Sequence, residues 1–282
     1  MSKSIKLVSF NIEYCASINR GYWQYLTRLW RYILPHETEA IYDIADIINE
    51  NNIDIATFME MDGGSYRTRH NNYMSLLSYM TDLKENVFYP VRHMWWGLTN
   101  QGNGIATRFD VLNAENIRLE TNRIFGENRY LSVSKLNVNE RIVYVLTTQL
   151  ALGHKSRVKE LQHVANIINS INEPILFTGD LNTQNEKELE ILKNTRLKRI
   201  ETTDTFPSWK PKRRIDYIFH SPEFEVVESY VLDSLKSSDH LPLVAEFKLI
   251  NEFKIQISRK KVVKRRIIKK RKSKKSKRKN NK

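Results

Sequence analysis

The stretch Pro174-Ile175-Leu176-Phe177-Thr178-Gly179-Asp180-Leu181-Asn182 most constrains the fold of this chain. Ile175, Leu176 and Phe177 form an apolar run of the kind a fully buried strand needs. The turn after it delivers a carboxylate and a carboxamide two residues apart, and Gly179 lets the backbone turn without a Cβ in the way. Residues two apart on a strand share a face, so Asp180 and Asn182 can enter one pocket at the end of a sheet. The same residues also describe an Asx turn that merely leaves a strand. What the other strand ends carry decides between the two readings.

Residues 5–12 alternate as a strand, with Asn11 at its end. In residues 22–34, Tyr22, Leu26, Leu29, Trp30 and Ile33 recur at helical spacing until Pro35 stops the pattern. That stripe is expected to pack on the core, with contact to a membrane interface or a substrate as the alternative. A helix over 38–51 carries Ile41, Ile44, Ala45 and Ile48 on one face. Ile53 to Phe58 is the next buried strand, and Glu60 stands just past its end. Strand, helix, strand in that order places both strands in one sheet. Residues 63–102 read least clearly: a helix near 72–83, a loop with Trp95 and Trp96, then a turn at Gly102-Asn103-Gly104. The paired tryptophans either stack on a base or sugar or cover a sheet edge.

Segments 130–137 and 141–149 alternate as an antiparallel pair joined at Asn139-Glu140. A helix over 155–171 presents Val158, Leu161, Val164, Ile167 and Ile168, and another covers 185–194. Strand 215–219 carries Asp216, strand 224–232 follows, and Asp239-His240 leads into the last strand, 243–249. Strands thus come singly, in antiparallel pairs and separated by helices, which favours two mixed sheets packed face to face with helices outside.

Collected together, the polar residues at strand ends are Asn11, Glu60, Asp180, Asn182, Asp216, Asp239 and His240. Carboxylates and carboxamides are hard oxygen ligands that select Mg²⁺ or Mn²⁺ over zinc. Clustered carboxylates repel unless a cation joins them, so their convergence calls for one.

FNIEY (10–14), FMEMD (58–62), GNGIATRF (102–109), FTGDLN (177–182), RRIDYIF (213–219) and SSDHLPLVAEF (237–247) resemble, in order and spacing, the endonuclease/exonuclease/phosphatase superfamily. That group includes deoxyribonuclease I, apurinic/apyrimidinic endonucleases, neutral sphingomyelinases and inositol polyphosphate 5-phosphatases. The resemblance covers roughly residues 5–249 and implies a four-layer αββα sandwich, α/β in class, with two mixed, mainly antiparallel sheets. It implies Glu60 as the principal Mg²⁺ ligand, assisted by Asn11 and Asp239, with Mn²⁺ as the substitute ion. It also implies that Asp216 orients His240, that the two act with Asp180 on the attacking water and the phosphate, and that Asn182 donates to a phosphate oxygen. Asn103 and Arg157 are the further phosphate-contact candidates. One position departs from the pattern: Thr147-Thr148-Gln149-Leu150 stands where relatives commonly have Asn-Thr-His-Leu. Gln149 can donate a hydrogen bond but cannot shuttle a proton. His154 is read as a surface residue rather than a replacement.

The net charge of +14 is unevenly placed. Residues 254–282 hold 17 Lys or Arg and no acid, while residues 1–253 hold 29 basic against 32 acidic side chains. The first segment reads as the catalytic domain and the second as a basic tail too poor in apolar residues to fold alone. Lys264, Arg265, Arg266, Lys269, Lys270 and Arg271 are its candidate nucleic-acid contacts, with a nuclear localisation signal and attraction to anionic lipid as competing readings. The favoured function is Mg²⁺-dependent hydrolysis of nucleic-acid phosphodiesters. Phospholipid or inositol-phosphate hydrolysis, and a non-catalytic nucleic-acid-binding module, are the alternatives. The lone Cys15 excludes an intrachain disulfide framework and fits a reducing compartment. With no signal pattern at the N-terminus and no apolar run of the roughly 20 residues a span needs, an intracellular, cytoplasmic or nuclear monomer is expected.

Overall fold

Among the described residues two pairs of neighbouring strands are parallel, and a helix crosses between the members of each, since parallel neighbours need a long crossover. The computed structural model describes residues 4–36, 39–94, 97–121, 128–235 and 237–250. β1 (Ile5–Asn11) lies parallel to β2 (Ile55–Asp62), and α2 (Ala40–Glu50) crosses between them. Ahead of it lies only a short helix, α1 (Trp23–Thr27). α3 (Tyr73–Met80) follows β2, and the sheet is completed by β3 (Glu85–Met94), β4 (Thr99–Thr107), β11 (Phe224–Val231) and β12 (Leu243–Leu249). The order is β11-β12-β1-β2-β4-β3. The second sheet holds β5 (Asp110–Arg118), β6 (Tyr130–Val138), β7 (Arg141–Gln149), β8 (Ile175–Asp180), β9 (Lys198–Arg199) and β10 (Asp216–His220). Its order is β5-β6-β7-β8-β10-β9, with β7 parallel to β8 across α4 (His154–Ser170). A short helix, α5 (Glu186–Leu189), follows β8.

Alternation along the strands builds the layers. Ile5, Leu7 and Ile55 of the first sheet meet Val143, Val145, Leu176 and Ile218 of the second in a shared core. Val8, Phe10, Ala56 and Phe58 point the other way, under Ile41, Ile44 and Ile48 of α2 and Leu77 of α3. On the far side, Ile175, Phe177 and Phe219 lie under Leu161, Val164 and Ile168 of α4. Helix, sheet, sheet and helix follow one another, as the αββα reading requires.

Three local expectations change. Gly102-Asn103-Gly104 is the middle of β4, not a turn. A Cβ at Gly102 would stand 2.1 Å from the Tyr89 carbonyl oxygen, so these glycines permit close strand packing. Gly179 likewise sits inside β8, where a Cβ would meet the Thr148 carbonyl oxygen at 2.1 Å. The third change concerns residues 22–34. They form α1 and a 3₁₀ turn over Leu29–Tyr32, with the apolar side chains facing outward: Leu26 is 82% exposed and Trp23 59%. Trp95, Trp96 and the basic tail, including Lys264, Arg265, Arg266, Lys269, Lys270 and Arg271, lie outside the described residues. Among the described residues no helix is long and apolar enough to cross a membrane.

Candidate active site

Pairing within the second sheet sets the first part of the site. Asp180 ends β8 directly opposite Gln149, the last residue of β7, and opposite Asp216, the first of β10. Neighbouring strands lie about 4.8 Å apart, so the three side chains are brought side by side by register alone. From the facing sheet comes Asn11 at the end of β1, together with Glu60 of β2. Glu60 is not beyond its strand. It occupies a bulge between Phe58 and Met61 with φ of 56°, and this extra residue turns its carboxylate into the gap between the sheets. Asp239 and His240 arrive on the loop before β12, held by Ser238, whose hydroxyl donates to the Asn11 carbonyl at 2.8 Å.

Three carboxamides aim their N–H groups at two carboxylates, buried Asp180 and half-buried Glu60. Asn11 Nδ2 lies 3.2 Å from Asp180 Oδ2 and 3.4 Å from Glu60 Oε1. Gln149 Nε2 donates to Glu60 Oε1 at 2.5 Å and lies 3.5 Å from Asp180 Oδ2. Asn182 Nδ2 donates to Asp180 Oδ2 at 3.2 Å while its backbone N–H donates to Oδ1 at 2.9 Å. The Asx turn expected of this stretch exists, and it faces the same gap as Asn11 and Gln149. On the other side of Asp180, His240 Nδ1 donates to Asp216 Oδ2 at 2.9 Å, an oxygen that also accepts from the Thr205 hydroxyl. This pairing leaves His240 Nε2 directed at a gap, 3.9 Å from Asp180 Oδ2 and from Asp239 Oδ1.

Burial sets the electrostatics. It pushes the Asp180 carboxyl up to about 7, with Asp216 and Glu60 adding to the rise and the His240 imidazole and the Asn182 N–H holding it back. Burial also raises Glu60, and the Asp239 carboxylate raises it further. For His240, burial acts downward, but the carboxylates of Asp216, Asp239 and Asp180 outweigh it and hold the imidazole well above its ordinary value. Asp216 Oδ1 is buried and has no hydrogen-bond partner among the described residues. Asp180, Asp216 and His240 offer ligand atoms within 4.8 Å of one another. An oxygen-rich donor set with raised carboxylates and an orphaned anionic oxygen fits a hard divalent cation. The ligands expected from the sequence, Glu60, Asp239 and Asn11, stand beside that triplet, with Asn11 Nδ2 3.4 Å from Glu60 Oε1 and His240 Nε2 3.9 Å from Asp239 Oδ1.

Asn103 is also at the site. It lines a cleft with Glu60, Tyr14, Arg92, Arg129, Tyr130 and Gln149, and its Nδ2 donates to Ser132 Oγ at 3.0 Å. Arg157 is not. Its guanidinium is buried against Glu188, with Nη2 2.9 Å from Oε1, and donates to the carbonyls of Ala151 and Leu152 at 3.0 and 2.7 Å. It braces the loop after β7 instead of reaching phosphate. His154 joins the same Glu188, as an exposed partner of that brace and not a substitute for the missing imidazole. Four further residues belong to this network: Arg129, Tyr25, Tyr32 and Glu13. Arg129 donates to Gln149 Oε1 at 2.9 Å, Tyr25 of α1 donates its hydroxyl to Asp239 Oδ2, and Tyr32 does the same for buried Glu13. Glu13 stands inside FNIEY, which was a signal for it. For Arg129 and the tyrosines the sequence carries none.

The sequence pattern of the Endonuclease/Exonuclease/phosphatase family matches residues 8–240. No curated protein matches the chain. Among solved structures it is similar to a family protein from Bacteroides thetaiotaomicron, at TM-score 0.67 and 18% identity over 89% of this chain and 99% of that one. The mannosyl-6-phosphatase Bt3783 of the same organism aligns at TM-score 0.66 and 17% identity, covering 86% and 99%. The human nocturnin catalytic domain with a bound sulfate aligns at TM-score 0.63 and 21% identity, covering 87% and 93%. With the family pattern spanning most of the chain and the αββα sandwich around it, this protein belongs to the Endonuclease/Exonuclease/phosphatase family, whose members are metal-dependent hydrolytic phosphoesterases.

Proposed function

We propose that the protein is a Mg²⁺-dependent phosphodiesterase acting on nucleic acid. The observation that carries the hydrolytic part is His240, locked by Asp216 at Nδ1 and facing at Nε2 the 3.9 Å gap beside Asp180. An imidazole held cationic suits the non-bridging oxygens of a phosphate, and a carboxylate with a pKa of about 7 suits acceptance of a proton from water near neutral pH. Asn182 and Asn11 fix the orientation of the Asp180 oxygens and so the direction from which water is deprotonated. A cation held by Glu60, Asp239 and Asn11 supplies charge neutralisation at the phosphate.

Two features support nucleic acid. The 17 Lys or Arg of residues 254–282 neutralise phosphates and raise the local concentration of a polyanion beside a slightly acidic body. The cleft beside Glu60 is lined by Tyr14, Tyr130, Arg92 and Arg129, the aromatic and cationic side-chain types that recognise bases and phosphates. One observation favours phospholipid instead: Leu26, Trp23, Leu29 and Trp30 are exposed on the segment whose Tyr25 touches Asp239. Wild type and Glu60→Ala, assayed with Mg²⁺ on plasmid DNA, an abasic duplex, RNA, sphingomyelin and inositol phosphates, decide between them. Cleavage of DNA or RNA that the variant loses supports this reading. Cleavage of sphingomyelin alone replaces it with the lipid one, and a wild type inert on every substrate removes both.

A further inference from the structure

We propose that Arg129 is a positioning residue that fixes the side-chain amide of Gln149 in one orientation, and that the pair replaces a titratable imidazole with a permanent hydrogen-bond donor. The inference deepens the hydrolytic reading above and rests on it. A carboxamide is nearly symmetric in shape, so its neighbours decide which end faces the carboxylates. For Asn11 the decision is made by the backbone, because the Glu13 N–H donates to Asn11 Oδ1 at 3.1 Å. For Gln149 it is made by a side chain. Arg129 Nη1 donates to Gln149 Oε1 at 2.9 Å, and a guanidinium has only donors to offer, so it can be satisfied by the oxygen end alone. The Nε2 end is thereby committed to Glu60 Oε1 and Asp180 Oδ2. Rotated by half a turn, the amide would put its nitrogen against the arginine and its oxygen against the carboxylates of Glu60 and Asp180, so both faces oppose it.

Placement supports this division of labour. Arg129 stands immediately before β6, whose Leu131 pairs with Thr148, and its carbonyl accepts from the Leu119 N–H at 2.8 Å. A short piece of backbone pinned at both ends thus carries the guanidinium to the end of β7, where Gln149 is half-buried. The same cleft holds Glu60 and Asn103, so the amide fixed by Arg129 lines the space a phosphoryl group would enter. A donor of this kind keeps its proton at every working pH, and it can stabilise charge on a phosphate or leaving oxygen without giving that proton up.

The test is a double-mutant cycle of Arg129→Met and Gln149→Ala with Arg129→Lys as the conservative variant, assayed with Mg²⁺ on bis(p-nitrophenyl) phosphate. Arg129→Met is expected to lower kcat by about 10²-fold, the cost of a misplaced catalytic group, with KM nearly unchanged. It should cost no more than about twofold when added to Gln149→Ala, and Arg129→Lys should recover part of the loss. A merely structural role would not make the loss disappear in the Gln149→Ala background. Losses that multiply in the double variant, or that fall in KM alone, overturn the inference and make Arg129 a direct phosphate ligand. If the wild type does not hydrolyse this diester but cleaves a substrate of the panel above, the cycle is run on that substrate; a wild type inert on all of them means that the hydrolytic reading is what fails. The inference is then judged by hydrogen exchange of the ¹⁵N-labelled Gln149 side-chain amide: slow in wild type and fast in Arg129→Met supports it, and equal rates sink it.

Discussion

Replacing Asp180 with Asn should make the protein more stable at the cost of its chemistry, and the size of the gain follows from the site. In the metal-free fold, burial lifts this carboxyl from an ordinary value of 3.8 to about 7. A carboxyl whose folded pKa is raised is a destabilising group, because the unfolded chain ionises first. The penalty starts as pH climbs past the unfolded value, grows through the interval and is complete above about 7. At 1.36 kcal/mol per pH unit the full penalty is about 4 kcal/mol, of which about 1.6 is already present at pH 5. Asparagine carries none of it. It does leave the donors of Asn11, Asn182 and Gln149 with one fewer oxygen to share, a loss of about 1–2 kcal/mol. The variant should therefore match wild type near pH 5 and exceed it by about 2–3 kcal/mol at pH 8, or about 5–10 °C in Tm for a domain of this size. Thermal melts of both proteins in EDTA at pH 5 and pH 8 measure this directly. Buried His36 and His220 titrate in both proteins and cancel in the difference. His240 is still held above its ordinary value in the variant by the carboxylates of Asp216 and Asp239. Phosphoesterase activity of the variant should be lost under all conditions. A variant less stable than wild type at pH 8, or a difference that does not change with pH, would refute the reasoning.

Arg157→Met should leave kcat of the surviving folded enzyme unchanged while lowering stability by about 3 kcal/mol, the low end for a broken buried pair, because the buried Glu188 carboxylate loses its guanidinium and keeps only His154. Burial raises that carboxyl, but its bonds to Arg157 and His154 bring it down to about 2, so the loss should be present at every pH above about 4.5 and shrink in acid; urea titrations at pH 3 and pH 7 check this. Gly102→Ala should cost about 1–3 kcal/mol, since its Cβ would enter the space of the Tyr89 carbonyl oxygen, and an unchanged midpoint of unfolding would show that β3 and β4 can separate at no cost.

What could be read from the sequence was whatever one strand or helix states by itself. The alternation over 130–149 was legible because its turn chemistry is local: Asn139 and Glu140 both adopt positive φ, of 50° and 66°, the pattern of a two-residue hairpin turn. Asn11, Asp180 and Asp216 were legible because each sits at a strand terminus, where the apolar pattern breaks off. The strands β3, β4 and β5 were not, since Gly102, Asn103 and Gly104 carry turn chemistry in isolation and act as strand only where Tyr89 and Met74 crowd the same space. Arg129 was invisible for a related reason. Its role depends on which end of an amide 20 residues away it faces, and no local pattern encodes that.

The stretch 22–34 shows how a correct period can lead to a wrong environment. Its apolar residues do recur at helical spacing, yet the face they form looks outward, and the core-packed expectation fails. The side chains that hold it down lie between those positions: Gln24 accepts from the backbone N–H of Asn19 at 2.9 Å, and the Tyr25 and Tyr32 hydroxyls donate to Asp239 and Glu13. Amphipathic spacing therefore identified the two faces correctly and assigned them the wrong way round. Polar groups anchor this segment to the acidic site, because buried carboxylates need donors, and the apolar ridge is what remains on the outside.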